Sequence, residues 1–128
     1  MKATYDFTGN VVLVAGAASG IGRETALACV ALGAKVLALD VDAQGLTSLA
    51  ATGGRAILTH TVDIADPDAV AHVFDVLMPE VDRIDAAVLT SAIQVRAPIE
   101  DIATAQWQRH IDVNLSGIFY LLRALFPI

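Results

Sequence analysis

The sequence contains few of the features that mark disulfide-rich, membrane or secreted proteins. Cys29 is the one cysteine among 128 residues, so neither a disulfide framework nor a CxxC metal or redox pair is possible. No apolar run approaches the ~20 residues that span a bilayer, and the amino terminus lacks the positive-then-apolar layout of a signal peptide. We therefore expect a cytoplasmic protein without a membrane segment, in which Cys29 is a small buried hydrophobe.

Positive charge is also scarce and dispersed. The eight Lys and Arg residues are scattered singly, and the formal net charge is -6. A protein that follows a phosphate backbone needs a basic stripe, so a nucleic-acid partner is not expected. The three histidines have no metal-ligand spacing, which favours structural or solvated histidines over a metal site.

The sequence does contain short apolar runs that alternate with segments of helical periodicity. The runs predict buried strands, and the periodic segments predict helices that cover them. This alternation predicts an α/β fold, a Rossmann-type doubly wound parallel sheet in which the strand order is 3-2-1-4, as a single domain over residues 1–128. The predicted strands are 10–15, 35–39, 55–62 and 84–89, and the predicted helices are 20–33, 43–51, 66–78 and 104–125.

The strongest chemical signal is a glycine-rich loop between the first strand and the first helix, which reads AGAASGIG over residues 15–22. Gly16 allows the chain to turn sharply off the strand. Gly20 allows the backbone to approach a pyrophosphate, and Gly22 allows the helix to pack closely against the sheet. Such a loop in this position predicts a dinucleotide-binding site.

Neighbouring polar groups complete the predicted site. The amides that open the helix, including that of Ile21, face the phosphates together with the helix dipole, and the Ser19 hydroxyl adds a donor. Asp40 ends the second strand about 20 residues after Gly20, where a carboxylate accepts hydrogen bonds from the adenosine ribose. The alternative is that Asp40 only ends the strand and caps the turn that follows.

The same carboxylate bears on the choice of cofactor. Asp40 would repel a 2′-phosphate, and neither Ser19 nor Val41 supplies a cation to neutralise one. Arg23 is the only basic residue nearby, and a solvated position on the helix is expected for it. NAD is therefore favoured over NADP.

Three stretches of the sequence resemble the short-chain dehydrogenase/reductase family. Residues 15–22 resemble its T-G-x-x-x-G-I-G loop, and residues 107–119, WQRHIDVNLSGIF, resemble its W-x-x-x-x-x-V-N-L-x-G-x-F helix. The resemblance implies that Asn114 is the asparagine of the catalytic tetrad, which supports a proton relay through a bound water. It also implies that Asp63 and Ile64, like the family's Asp-Val pair, address the adenine.

A fourth stretch departs from the family pattern. Where the family has N-N-A-G at the end of the fourth strand, this chain has Leu89-Thr90-Ser91-Ala92. Ala92 puts a methyl group where a nucleoside ribose approaches the backbone, whereas Thr90 and Ser91 could still donate hydrogen bonds. We keep Ser91 and Ala92 among the predicted cofactor-binding residues.

The family's remaining catalytic residues are a Ser and a Tyr-x-x-x-Lys pair. Tyr5 and Tyr120 are the only tyrosines, and the residues four positions after them are Gly9 and Ala124. Neither tyrosine therefore has the lysine that would lower its pKa for acid/base work. The resemblance covers about the first half of a family member. It implies an NAD(P)-dependent dehydrogenase or reductase that transfers a hydride to or from a small hydroxyl or carbonyl substrate, truncated here to its cofactor-binding part and inactive alone.

The sequence allows two alternatives to this interpretation. One is a catalytically silent nucleotide-binding module, and the other is a different α/β domain with a fortuitous glycine loop, which the match over residues 107–119 disfavours. Residues 118–126 are apolar around more than one face, and the fourth strand would have an unpaired outer edge. Together with the family's use of this helix at a subunit interface, these features predict that the chain forms a homo-oligomer, needs the missing half in trans, or belongs to a longer chain.

Overall fold

The sheet has the predicted topology. The computed structural model describes residues 4–126, and four parallel strands lie in the order β3-β2-β1-β4. Because β1 pairs with both β2 and β4, the winding of the chain reverses beside β1. The strands are β1 (Val11–Ala15), β2 (Lys35–Asp40), β3 (Ile57–Thr61) and β4 (Ala86–Leu89).

Helices cover both faces of the sheet, and two of them begin at aspartate caps. The Asp42 carboxylate accepts hydrogen bonds from the amides of Gln44 and Gly45, and Asp66 caps the third helix in the same way. None of the helices within residues 4–126 is long and apolar enough to cross a membrane. The helices are α1 (Gly20–Ala31), α2 (Ala43–Gly53), α3 (Pro67–Leu77), α4 (Thr104–Ile111) and α5 (Ile118–Leu125).

The alternation of side chains along the central strands divides the core into two clusters. Leu13 and Leu37 point to the face that α3 and α5 cover, and Val14 and Val36 point to the face that α1 and α2 cover. Cys29 is buried in the second cluster, where burial raises the pKa of its thiol. The predicted role of Cys29 as a small hydrophobe is confirmed.

The predicted helical stretch over residues 104–125 is continuous, but its middle is not α-helical. A π-helical turn, Asp112–Gly117, separates α4 from α5. Two tertiary contacts hold it: the Asn114 side chain bonds to the backbone of Ile93, and Gly117 lies so close to Ile64 that a Cβ there would be 2.7 Å from the Ile64 Cγ1. Such turns frequently occur at functional sites.

An ion pair holds the amino-terminal edge of the sheet. The Asp85 carboxylate accepts hydrogen bonds from Arg83 Nε at 2.6 Å and from the Val11 amide at 2.8 Å, and Arg83 also donates to the Gly9 carbonyl at 3.2 Å. The bond from Arg83, and secondly that from the Val11 amide, lowers the pKa of Asp85 below its ordinary value.

We expect Asp85→Asn to destabilise the protein at pH 7 and to destabilise it less at pH 3. A carboxyl whose pKa is lowered in the folded state stabilises that state above the unfolded pKa of about 3.9, and this contribution is lost as the pH falls through the folded value. Urea denaturation of both proteins at the two pH values measures the difference. If the native protein and the variant differ as much in free energy of unfolding at pH 3 as at pH 7, this expectation is contradicted.

The helix α5 and the turn before it have two apolar faces, as predicted. Leu121 is fully buried against the core, whereas Leu115, Phe119 and Leu122 are more than half exposed and Phe126 is 93% exposed. The outer edge of β4 is also uncovered within the described residues, because β4 pairs only with β1.

Candidate cofactor-binding site

A cleft of about 340 Å³ opens at the carboxyl ends of the strands, beside the point where the winding reverses. Ligands of doubly wound sheets bind at this position because the loops after neighbouring strands diverge there. The loops that follow all four strands contribute to its walls. All ten predicted cofactor-binding residues line it: Gly16, Ser19, Gly20, Ile21, Gly22, Asp40, Asp63, Ile64, Ser91 and Ala92.

The three loop glycines meet different steric demands. A Cβ on Gly22 would overlap the carbonyl oxygen of Gly16 and lie 2.6 Å from the Thr90 hydroxyl, so this position permits α1 to pack against the first loop. A Cβ on Gly16 would lie 2.7 Å from the Ser91 amide. Gly20, with φ +54°, has nothing within 4 Å of its Cβ position and borders the open cleft.

The amino terminus of α1 presents hydrogen-bond donors to the cleft. The first backbone bond of the helix runs from the Arg23 amide to the Ser19 carbonyl at 3.2 Å, so the amides of Gly20, Ile21 and Gly22 precede the ladder. Ser19 is extended and its hydroxyl makes no cap bond. These donors and the positive end of the helix dipole together form a cradle suited to an anion.

Asp40 holds the turn after β2 and also lines the cleft. Its Oδ2 accepts from the Ala18 amide at 3.0 Å and its Oδ1 accepts from the Asp42 amide at 3.0 Å, so it stabilises the turn after β2. The same carboxylate lines the cleft. Because each carboxylate oxygen can accept two hydrogen bonds, capacity for a ligand hydroxyl is left on both oxygens.

Asp63 has a partner that the sequence did not indicate. Its Oδ1 accepts from the Ala65 amide at 3.0 Å, and its Oδ2 accepts from Arg109 Nη2 at 2.8 Å. Arg109 also lines the cleft and comes from α4, far along the chain from Asp63. The only signal in the sequence was its place in the stretch 107–119, two residues after Trp107.

Thr90 donates its hydrogen bonds locally, to the neighbouring loop. Its hydroxyl donates to the Ala15 carbonyl at 2.8 Å, and its amide donates to the same oxygen. The hydroxyl therefore joins the loops after β1 and β4 to each other and has no second proton for a ligand. Ser91 and the exposed Ala92 remain at the cleft wall.

Asn114 lies beside the cleft and does not line it. Its Oδ1 accepts from the Ile93 amide at 2.8 Å, and its Nδ2 donates to the Ile93 carbonyl at 2.9 Å. Ile93 itself is part of the cleft wall. Asn114 thus holds the segment after β4 in place with both polar groups of its side chain.

One turn earlier, His110 holds the same segment. Its Nε2 accepts from the Val95 amide at 2.9 Å, and its Nδ1 donates to the Gln106 carbonyl at 2.7 Å, a pairing that requires the neutral ring with the proton on Nδ1. The expectation of a structural histidine is confirmed at this position.

Comparison with known proteins shows the family to which the chain belongs. Residues 10–128 match the family model described as short chain dehydrogenase, so the chain belongs to that oxidoreductase family. It is 35% identical to D-threitol dehydrogenase of Mycolicibacterium smegmatis over 98% of this chain and 50% of that protein. It is 39% identical to galactitol 2-dehydrogenase of Agrobacterium fabrum over 90% of this chain and 45% of that protein. The chain spans about half the length of these curated relatives.

A solved structure agrees with the fold. The short-chain dehydrogenase/reductase described as a glucose/ribitol dehydrogenase from Brucella melitensis superposes with a TM-score of 0.92 at 31% identity, over 98% of this chain and 54% of that one. The predicted family and the predicted Rossmann-type sheet are confirmed, and a different α/β fold is excluded.

Proposed function

We propose that the chain binds NAD in this cleft as the cofactor-binding part of a short-chain dehydrogenase/reductase. The observation that carries the proposal is the juxtaposition of the α1 amino terminus with the Asp40 carboxylate, across open space above Gly20. An anion cradle beside a hydroxyl acceptor matches a pyrophosphate joined to a ribose.

Each part of the dinucleotide has candidate partners. The amides of Gly20, Ile21 and Gly22, with the Ser19 hydroxyl, would hold the pyrophosphate, and the turn at Gly16 places them. Asp40 would accept from the adenosine ribose. The Asp63 carboxylate and the Ile64 amide would address the adenine, and Ser91 and Ala92 would face a nucleoside ribose.

The neighbourhood of Asp40 supports NAD over NADP. Arg23 is bonded to α2, where it donates to the Thr52 hydroxyl at 3.2 Å and the Gly45 carbonyl at 3.5 Å, and it does not line the cleft. Arg109 is the one basic residue among the cleft-lining residues that the structure describes, and its guanidinium is paired with Asp63. A 2′-phosphate beside Asp40 would therefore meet a carboxylate without a compensating cation.

We expect Asp40→Asn to narrow the preference for NAD over NADP by about tenfold, because a neutral amide no longer repels a phosphate. The amide oxygen still accepts one of the two turn amides. Competitive titration with both dinucleotides measures the ratio. Asp42→Asn is the matched control: it removes the same charge two residues away, at the α2 cap outside the cleft, and should leave the ratio unchanged. A native protein that already prefers NADP would refute the role of Asp40.

The reaction proposed for the whole enzyme is hydride transfer between nicotinamide and a small hydroxyl or carbonyl compound. When bound, the dinucleotide supplies the hydride acceptor or donor. Relatives named for threitol and galactitol suggest a polyol-like alcohol as the first substrate class to assay. Within this chain, Asn114 would be the tetrad asparagine, and its side chain fixes Ile93 at the cleft wall.

A silent nucleotide-binding module is the second candidate, because the cleft would hold a dinucleotide without the Ser and the Tyr-x-x-x-Lys pair. Alcohol-dependent NADH formation distinguishes the two. If the first candidate is right, NADH forms only when the polypeptide also supplies the Ser and the Tyr-x-x-x-Lys pair. If the second is right, the protein binds the dinucleotide but forms no NADH with any alcohol.

We also propose self-association through the exposed apolar residues of the π turn and α5. Leu115, Phe119 and Leu122 recur at helical spacing, and each is more than half exposed. Monomeric proteins seldom leave a contiguous apolar surface of this kind in water. Light scattering on the purified protein tests the proposal, and a monodisperse monomer would refute it.

A further inference from the structure

The cleft contains an ion pair that binding of phosphate and ribose does not require. Arg109 Nη2 lies 2.8 Å from Asp63 Oδ2, and both residues line the cleft. The second oxygen of Asp63 is held by the Ala65 amide at 3.0 Å. The carboxylate is thus fixed from two sides, by α4 and by its own loop.

This pair contributes little to folding. The Arg109 side chain is 46% exposed and that of Asp63 is 39% exposed, and ion pairs that reach solvent to this degree are weak. The ion pair has a larger effect on the orientation of the Asp63 carboxylate than on the stability of the fold. With two bonds to separate elements, the carboxylate has one orientation and keeps a lone pair on each oxygen.

We propose that Arg109 is a positioning residue that holds Asp63 as a fixed, ionised acceptor, so that the cleft selects a 6-aminopurine over a 6-oxopurine. The inference rests on the proposed function and adds the base selectivity of the site. An ionised carboxylate can only accept hydrogen bonds. It satisfies the exocyclic amine of adenine, whereas the 6-oxo group of hypoxanthine sets a second acceptor against it.

The selectivity depends on Arg109 because an Asp63 side chain held by the Ala65 amide alone can rotate away from the base. Rotation removes the acceptor from the amine and relieves the repulsion of the oxo group. Loss of Arg109 should therefore weaken binding of the amino compound and spare the oxo compound, whereas a purely structural role would weaken both by the same factor.

The experiment measures dissociation constants of NAD and of nicotinamide hypoxanthine dinucleotide by calorimetry. We expect the native protein to prefer NAD by about tenfold, the size of one hydrogen bond to a charged group. Arg109→Met should reduce this preference to about twofold or less, and Arg109→Lys should restore part of it. Arg55→Met, which removes an exposed positive charge beyond the other end of β3, controls for net charge and should keep the full preference.

The possible results distinguish a failure of this inference from a failure of the proposed function. Thermal unfolding establishes that each variant is folded. In an Asp63→Asn background, Arg109→Met should not change the ratio further, since the acceptor it positions is gone. Equal losses for both dinucleotides, or an unchanged ratio in Arg109→Met, would overturn the inference and leave NAD binding intact. Failure of the native protein to bind either dinucleotide would overturn the proposed function and this inference with it.

Discussion

Gly22→Ala should lower the free energy of unfolding by about 1 to 3 kcal/mol, the usual range for forcing an atom into a filled space. The new Cβ would overlap the Gly16 carbonyl oxygen and crowd the Thr90 hydroxyl, which is itself bonded to Ala15. Alanine at a helical position otherwise stabilises by about 1 kcal/mol relative to glycine, so the sign of the change identifies the dominant effect.

Urea denaturation of the two proteins measures this difference, which is a large part of the roughly 5–15 kcal/mol by which domains are stable. The overlap involves backbone of the first loop, which a change of side-chain rotamer cannot relieve. Equal or greater stability of Gly22→Ala would show that α1 does not depend on close approach to the loop.

Gly20→Val should weaken NAD binding by about a hundredfold while the protein stays folded. The valine side chain would stand in the open space above the α1 amides and keep an anion from them, with a loss of one or more charge-assisted hydrogen bonds. The positive φ of +54° adds backbone strain of about 1–3 kcal/mol.

Gly9→Val is the matched control for that strain. Gly9 also has a positive φ, +81°, and nothing within 4 Å of its Cβ position, yet it lies outside the cleft. Calorimetric titration should show native affinity for Gly9→Val and a large loss for Gly20→Val. Similar affinities for the two variants would remove the glycine loop from the binding site.

The sheet could be predicted because its signals are local. The apolar runs of β1 and β2 read as strands buried on both faces, and the Asp66-Pro67 pair marks a helix start where the structure has one. The predicted strand 55–62 was too long, since Gly54–Ala56 forms a 3₁₀ turn before β3. Element ends depend on such turns more than on the periodicity within the element.

The parts of the site that the sequence did not reveal all depend on contacts between distant segments. The partner of Asp63 comes from α4, and the π turn depends on Ile64 and Ile93, which no local pattern links to residues 112–117. The Thr90 hydroxyl could have faced a ligand or the neighbouring loop, and only the parallel pairing of β1 with β4 decides between them. The glycine loop and Asp40 were visible because their spacing follows from a single βαβ unit.

Titration of the ¹⁵N-labelled protein with NAD, followed by amide chemical shifts, tests the central claim most directly. We predict saturable shifts concentrated at Ser19, Gly20, Ile21 and Gly22, with further shifts at Ile64 and little change at other positions far from the cleft. Adenosine diphosphate ribose should reproduce the shifts of the α1 amides, since it carries the same pyrophosphate and adenosine. A spectrum that stays unchanged at millimolar NAD, or shifts confined to residues outside the cleft, would contradict the assignment of this cleft as the dinucleotide site.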